Sequence, residues 1–213
     1  MAMKRIVIFT GGELFPEFLE VIHKDDIIIA ADRGALFLIE HGVTPHVAVG
    51  DFDSISEEEQ QLVHEKSGRM ITVDPVLKDW TDTEMAFETA LDFEPTHILM
   101  LGATGTRMDH TLANVHIMVR AMQHHIICSL QDKNNYMMLT TSEAVVEDRG
   151  YEYVSLLPLT PEVTGICLEG FQYPLDQATI RMGMSLGISN KLLDKSGTVS
   201  IDSGLLLIIQ SKD

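Results

Sequence analysis

Val47-Ala48-Val49-Gly50-Asp51-Phe52-Asp53-Ser54-Ile55 is the stretch from which the fold is read. A short apolar run stops at a glycine, and two carboxylates follow on either side of one aromatic residue. In an extended chain, residues two apart point to the same side, so Asp51 and Asp53 would face one point. Two ionised carboxylates about 4 Å apart repel by roughly 4 kcal/mol at an effective dielectric of about 20. A cation between them relieves that repulsion. Magnesium suits the role, because it commonly takes one or two carboxylates and leaves its other positions to substrate phosphates and water. A solvated acidic turn reads the same way, and about five such pairs are expected by chance in so acidic a chain. The pair therefore needs support from its surroundings.

Upstream, residues 4–9 form a β-branched apolar run that stops at Thr10-Gly11-Gly12, residues 14–23 read as a helix, and residues 27–31 form a second strand ending at Asp32-Arg33-Gly34. Residues 35–41 read as a helix closed by Gly42. Downstream, Ser56 with Glu59 is a capping-box signature for a helix to about Lys66. Residues 70–73 make a fourth strand ending at Asp74. Thr81 with Glu84 opens another helix, and residues 96–101 make a fifth strand that ends in Gly102-Ala103-Thr104-Gly105. Asp109 then precedes a long amphipathic helix. Apolar runs without alternation indicate strands buried on both faces, and strands alternating with helices indicate a mainly parallel sheet. Ligands bind at the carboxyl edge of such a sheet. All five strands end there in glycine or aspartate, a regularity worth more than any single motif.

The texture changes after about Gln131. Short strand candidates follow one another, punctuated by Gly, Pro, Asp and Ser, with no long helical stripe between them; this is the pattern of an antiparallel sandwich. The expected organisation is an α/β N-terminal domain with a mainly parallel sheet over residues 1–130, then an all-β sandwich over 131–213. A net charge of −17 on 213 residues argues against nucleic acid, which requires a basic face. It leaves room for a small phosphorylated ligand whose charge a metal ion offsets. Cys128 and Cys167 have neither metal-like nor disulfide-framework spacing, which fits a reducing, cytoplasmic setting. No run of about 18 apolar residues suggests a membrane span.

Asp79 and Asp82 flank the expected N-cap Thr81, where acidic residues simply complement the helix dipole; Asp109 reads equally as a cap. With Asp51 and Asp53 they make five carboxylates on three strand-to-helix connections, a costly gathering without a cation. The loop from Gly102 to Arg107 offers backbone N–H groups and a guanidinium for phosphate. Arg33 and Lys78 are the other cations near that edge. His110 and Asn114 remain ambiguous.

Gly50-Asp51-Phe52-Asp53-Ser54, Asp79-Trp80-Thr81-Asp82 and Gly102-Ala103-Thr104-Gly105-Thr106-Arg107-Met108-Asp109-His110 with Asn114, together with Gly187-Ile188-Ser189-Asn190 in the tail, resemble the thiamine pyrophosphokinase family in order and spacing. The resemblance implies transfer of the pyrophosphoryl unit of ATP to the hydroxyl of thiamine with release of AMP, and a homodimer whose interface forms the thiamine sites. It implies magnesium and catalytic roles for Asp51, Asp53, Asp82 and Asp109, with Asp79 as a further metal ligand. ATP contacts are expected at Gly11, Asp32, Arg33, Lys78, Thr81, Thr104 and Arg107, and thiamine contacts at Gly187, Ser189 and Asn190. Thr106 stands where a glycine is common in the family, and Lys78 where some relatives carry glutamine. A magnesium-dependent sugar-nucleotide transferase and a non-catalytic binding regulator are the competing readings.

Overall fold

The computed structural model describes residues 3–72 and 80–213, so Asp74, Lys78 and Asp79 lie outside the described residues. The chain divides into two compact units, residues 1–133 and 134–213. In the first, strands β1 (Arg5–Phe9), β2 (Ile27–Ala31), β3 (Val47–Gly50), β4 (Arg69–Thr72), β5 (His97–Leu101) and β6 (Ile127–Gln131) lie in the order β4-β3-β2-β1-β5-β6. Every pairing among them is parallel. Ile6 to Phe9 are fully buried, as expected of a strand covered on both faces.

Helices α1 (Arg33–Glu40), α2 (Glu57–Lys66), α3 (Asp82–Leu91) and α4 (Met108–Gln123) fill the crossovers. Both halves of the Ser56–Glu59 capping box are present at α2, and Thr81 caps α3 by accepting from Glu84 N. Two local expectations change. Residues 14–23 hold only a short 3-10 helix, Pro16–Val21, which lacks a side-chain cap hydrogen bond. The N-cap of α4 is Arg107, so Asp109 sits inside the first turn and is not the cap.

The second unit is antiparallel. Strands β7 (Asn135–Thr140), β8 (Glu143–Glu147), β9 (Tyr153–Pro158), β10 (Glu162–Glu169), β11 (Ala178–Arg181), β12 (Ser196–Ser200) and β13 (Leu206–Ser211) make the layers β7-β13-β9 and β11-β10-β12-β8. Burial alternates along β8 and β9 as a half-buried strand requires. Val146, Leu156, Ile166, Val199 and Ile208 belong to one apolar cluster inside this unit.

Candidate active site

Strand order reverses between β1 and β5, and open α/β sheets bind ligands at the carboxyl edge beside such a reversal. The loops leaving β1 and β5 are stitched together there. Thr10 N donates to Leu101 O at 2.9 Å and Gly12 N to Gly102 O at 3.0 Å, while the Thr10 hydroxyl donates to Gly102 O. A Cβ on Gly12 would lie 2.1 Å from Gly102 O and 2.6 Å from Thr104 O, so no other residue fits. The β5–α4 loop is held from two further sides. Asn114 Nδ2 donates to Ala103 O at 2.7 Å, and Thr104 Oγ1 donates to Asp132 Oδ2, just past β6, at 2.8 Å. Its tip is open, with nothing within 4 Å of a Cβ placed on Gly105.

A cleft of about 400 Å³ lies over this frame, and Gly11, Asp32, Thr81, Asp82, Thr104 and Arg107 are among its lining residues. Asp32 has φ 51° and ψ −124° at the N-cap of α1, a strained backbone for any residue but glycine. Its Oδ2 accepts from Ser54 Oγ at 2.5 Å. Its Oδ1 is buried with no hydrogen-bond partner among the described residues. Burial pushes the Asp32 carboxyl above the usual range; the Ser54 hydroxyl opposes this, and the charges of Asp82 and Asp51 add to it. Gly50, at φ 147°, opens the space between them, since a Cβ there would stand 3.3 Å from both Asp32 N and Asp82 Oδ1.

Asp51 and Asp53 reach this edge differently from the extended reading. β3 ends at Gly50, Phe52 is buried with φ 55°, and Asp53 N donates to Asp51 Oδ1 at 3.2 Å. The pair forms a local turn, which places the charge of Asp51 near Asp32 and leaves Asp53 exposed; neither is among the residues lining the cleft. Arg33 is exposed as well. Arg107 Nη2 contacts Asp109 Oδ2 at 2.5 Å, with the two side chains 70% and 65% exposed. That contact holds the Asp109 carboxyl below its usual range and lifts the guanidinium. Among the described residues, no three His, Cys, Asp or Glu side chains stand close enough to hold a metal by themselves. The unpartnered Asp32 oxygen and the mutual repulsion of Asp32, Asp51 and Asp82 nonetheless suit a hard dication that draws its remaining ligands from phosphate and water.

The expected acceptor-binding residues lie in the second unit. Gly187 and Asn190 line a hollow of about 250 Å³. Ser189, at φ 57°, is exposed and donates its N–H to Ser155 Oγ at 3.1 Å. Thr10, Ser54 and Asp132 take part in the first cleft's framework without having been singled out from the sequence. Asp132 directly follows a strand that the sequence pattern did not reveal, whereas Thr10 directly precedes the Gly-Gly turn.

Fold and cleft together define an α/β enzyme of the kind that handles a nucleotide's phosphates at a strand-order reversal, followed by a β-sandwich. Comparison with known proteins narrows this class. Residues 18–130 match the thiamin pyrophosphokinase catalytic domain and residues 142–206 its vitamin B1 binding domain. A thiamine pyrophosphokinase of Bacillus subtilis is 35% identical over 99% of this chain and 100% of its own. The structure of a thiamine pyrophosphokinase from that organism superposes with a TM-score of 0.91 at 33% identity, covering 99% of this chain and all of that one. One from Geobacillus thermodenitrificans gives 0.87 at 32% identity, covering 98% of each. The chain belongs to the thiamine pyrophosphokinase family.

Proposed function

We propose that this chain transfers the pyrophosphoryl group of ATP to the hydroxyl of thiamine, giving thiamine diphosphate and AMP, with magnesium as the metal. One observation carries the reading within the chain: the Asp32–Asp82 acidic edge and the pinned 102–104 loop share a single cleft. Membership of the family makes the chain an enzyme of ATP-dependent pyrophosphoryl transfer. The proposed ATP contacts are Gly11, Asp32, Arg33, Thr81, Thr104 and Arg107, together with Lys78. Asp51, Asp53, Asp82 and Asp109, with Asp79, are the proposed metal ligands. A bound magnesium ion would neutralise charge on the phosphate oxygens.

In the transfer, the thiamine hydroxyl oxygen bonds to the β-phosphorus, and the bond from that phosphorus to the oxygen bridging to the α-phosphate breaks. AMP leaves with that oxygen. Arg107 adds a directional cation to the phosphates, for which it must exchange its contact with Asp109. The hydroxyl proton passes to a carboxylate. Asp82, which lines the cleft, is the proposed acceptor, ahead of Asp109, whose carboxyl the Arg107 contact makes a weaker base.

Residues 1–130 form the proposed ATP- and metal-binding domain and 131–213 the thiamine-binding and dimerisation domain, with Gly187, Ser189 and Asn190 at the acceptor. The working assembly is a homodimer in the cytoplasm. Among the described residues, no helix is long and apolar enough to cross a membrane. The deciding experiment supplies magnesium, ATP and thiamine and identifies the nucleotide product. AMP supports the reading, ADP points to an ordinary kinase, and binding of both ligands without turnover to a regulator.

A further inference from the structure

Helices α2 and α3 open on the same capping signature, Ser56 with Glu59 and Thr81 with Glu84, and use it differently. At α2 the cap is reciprocal: Glu59 N donates to Ser56 Oγ at 3.3 Å, and Ser56 N donates to Glu59 Oε2 at 2.8 Å. At α3 only the first half forms. Glu84 N donates to Thr81 Oγ1 at 3.2 Å, whereas the Glu84 carboxylate turns away and accepts from Arg120 Nη1. Arg120 lies in the last turn of α4. Its Nη2 donates to Glu88, one turn further along α3, and its Cζ stands 5.5 Å from the centroid of the buried Phe87 ring.

The difference falls where charge matters. Thr81, Asp82 and Thr83, at the start of α3, line the cleft, and the charge of Asp82 already bears on Asp32. A Glu84 carboxylate returned to Thr81 N would complete the capping box. It would also offset the positive end of the α3 dipole and set one more negative charge toward a bound phosphate. Ser56 and Glu59 are not among the cleft's lining residues, so their closed box opposes no ligand. The grip of Arg120 is firm. Its planar fork engages two carboxylates from separate nitrogens, and the Glu84 and Glu88 side chains are only 25% and 28% exposed. Such pairs are less screened by solvent than open surface pairs.

We infer that Arg120 is a positioning residue for ATP: it holds the Glu84 carboxylate off the first turn of α3 and so keeps a further negative charge away from the phosphates. The inference rests on the proposed function, which puts a triphosphate in the cleft.

Steady-state kinetics of the full chain test it, with equilibrium binding of a non-hydrolysable ATP analogue in magnesium as a second readout. Arg120→Met should raise the KM for ATP about five- to tenfold, with the KM for thiamine within about twofold of wild type. Adding Glu84→Gln removes the freed charge. It should return the ATP KM to within about twofold of wild type, although the link between α3 and α4 is still missing. Glu88→Gln on the Arg120→Met background should restore nothing, because that residue lies one turn beyond the cap. An unchanged ATP KM in Arg120→Met overturns the inference. So does a double variant, Arg120→Met with Glu84→Gln, no better than Arg120→Met alone, since a brace that merely joins two helices is not repaired by removing its second partner. If Arg120→Met melts too low to assay, Arg120→Gln with and without Glu84→Gln is read in the same way. Should the wild type form no AMP, the proposed function falls, and the analogue's affinities across these variants still decide the role of Arg120.

Discussion

Asp32 turns one carboxylate oxygen to Ser54 Oγ at 2.5 Å and keeps the other buried without a hydrogen-bond partner among the described residues. Burial, reinforced by the charges of Asp82 and Asp51, holds its carboxyl above the ordinary aspartate value of 3.8. A raised folded-state pKa means the protonated form favours folding. That contribution is complete below 3.8 and is lost as the pH rises through the raised value. Asp32→Asn should therefore melt above wild type at neutral pH, and the gap should close as the pH falls through the raised value toward 3.8. A variant melting below wild type at neutral pH would show that other contacts hold this carboxylate.

The same repulsion predicts a response to metal. Millimolar magnesium should raise the melting temperature of the wild type, because a ligand that binds only the folded state stabilises it by mass action. The rise should shrink in Asp51→Asn. Turnover in Asp51→Asn and in Asp53→Asn should fall at least ~100-fold, the scale lost with one transition-state electrostatic contact. Near-normal rates in both would refute the metal assignment, and Asp53, the more exposed of the two, is the more exacting test.

Asn114 holds the Ala103 carbonyl oxygen at 2.7 Å. Both residues are buried, so Asn114→Leu leaves that oxygen unpaired at a cost of about 1–3 kcal/mol. Each kcal/mol lowers Tm by roughly 2–4 °C in a chain of this size. Because the loop also faces the cleft, the KM for ATP should rise several-fold while that for thiamine holds. Loss of stability with an unchanged ATP KM would make the contact purely structural.

Much of this was legible from residue order, and the remainder was not, for identifiable reasons. β1 to β5 could be read because each is a short apolar run halted by glycine, aspartate or threonine, and the Ser56–Glu59 box declares its helix locally. β6 escaped because Ile127, Ser129 and Gln131 alternate with its buried Cys128 and Leu130, unlike the solid runs of its neighbours. β11 is only four residues long. Asp51 and Asp53 were singled out on an extended reading that the backbone does not follow, since Phe52 at φ 55° ends the extended chain. Thr104 to Asp132 spans 28 residues and Asn190 to Tyr173 spans 17, contacts that no local pattern announces. The amide of Asn190, read from the sequence as a thiamine contact, also holds the backbone of Tyr173.

Away from the cleft, the Arg5–Asp26 pair offers a pH test of the scaffold. Arg5 Nε and Nη2 donate to the two Asp26 oxygens at 2.8 and 2.6 Å, and His23 N donates to Oδ2 at 2.7 Å. Burial alone would raise the Asp26 carboxyl, but the Arg5 guanidinium and the His23 N–H outweigh it and hold it below 3.8. A depressed folded-state pKa contributes stability above 3.8 that is lost as the pH falls through the lowered value. Asp26→Asn strands a guanidinium whose side chain is 18% exposed; breaking a fully buried pair costs about 3–5 kcal/mol, so about 2–3 is expected here. The melting gap between wild type and Asp26→Asn should hold steady from neutral pH down to mildly acid conditions, then close as the wild-type carboxyl protonates. Thermal scans in which the gap widens toward acid would contradict the sign of the shift and the role of Arg5 in setting it.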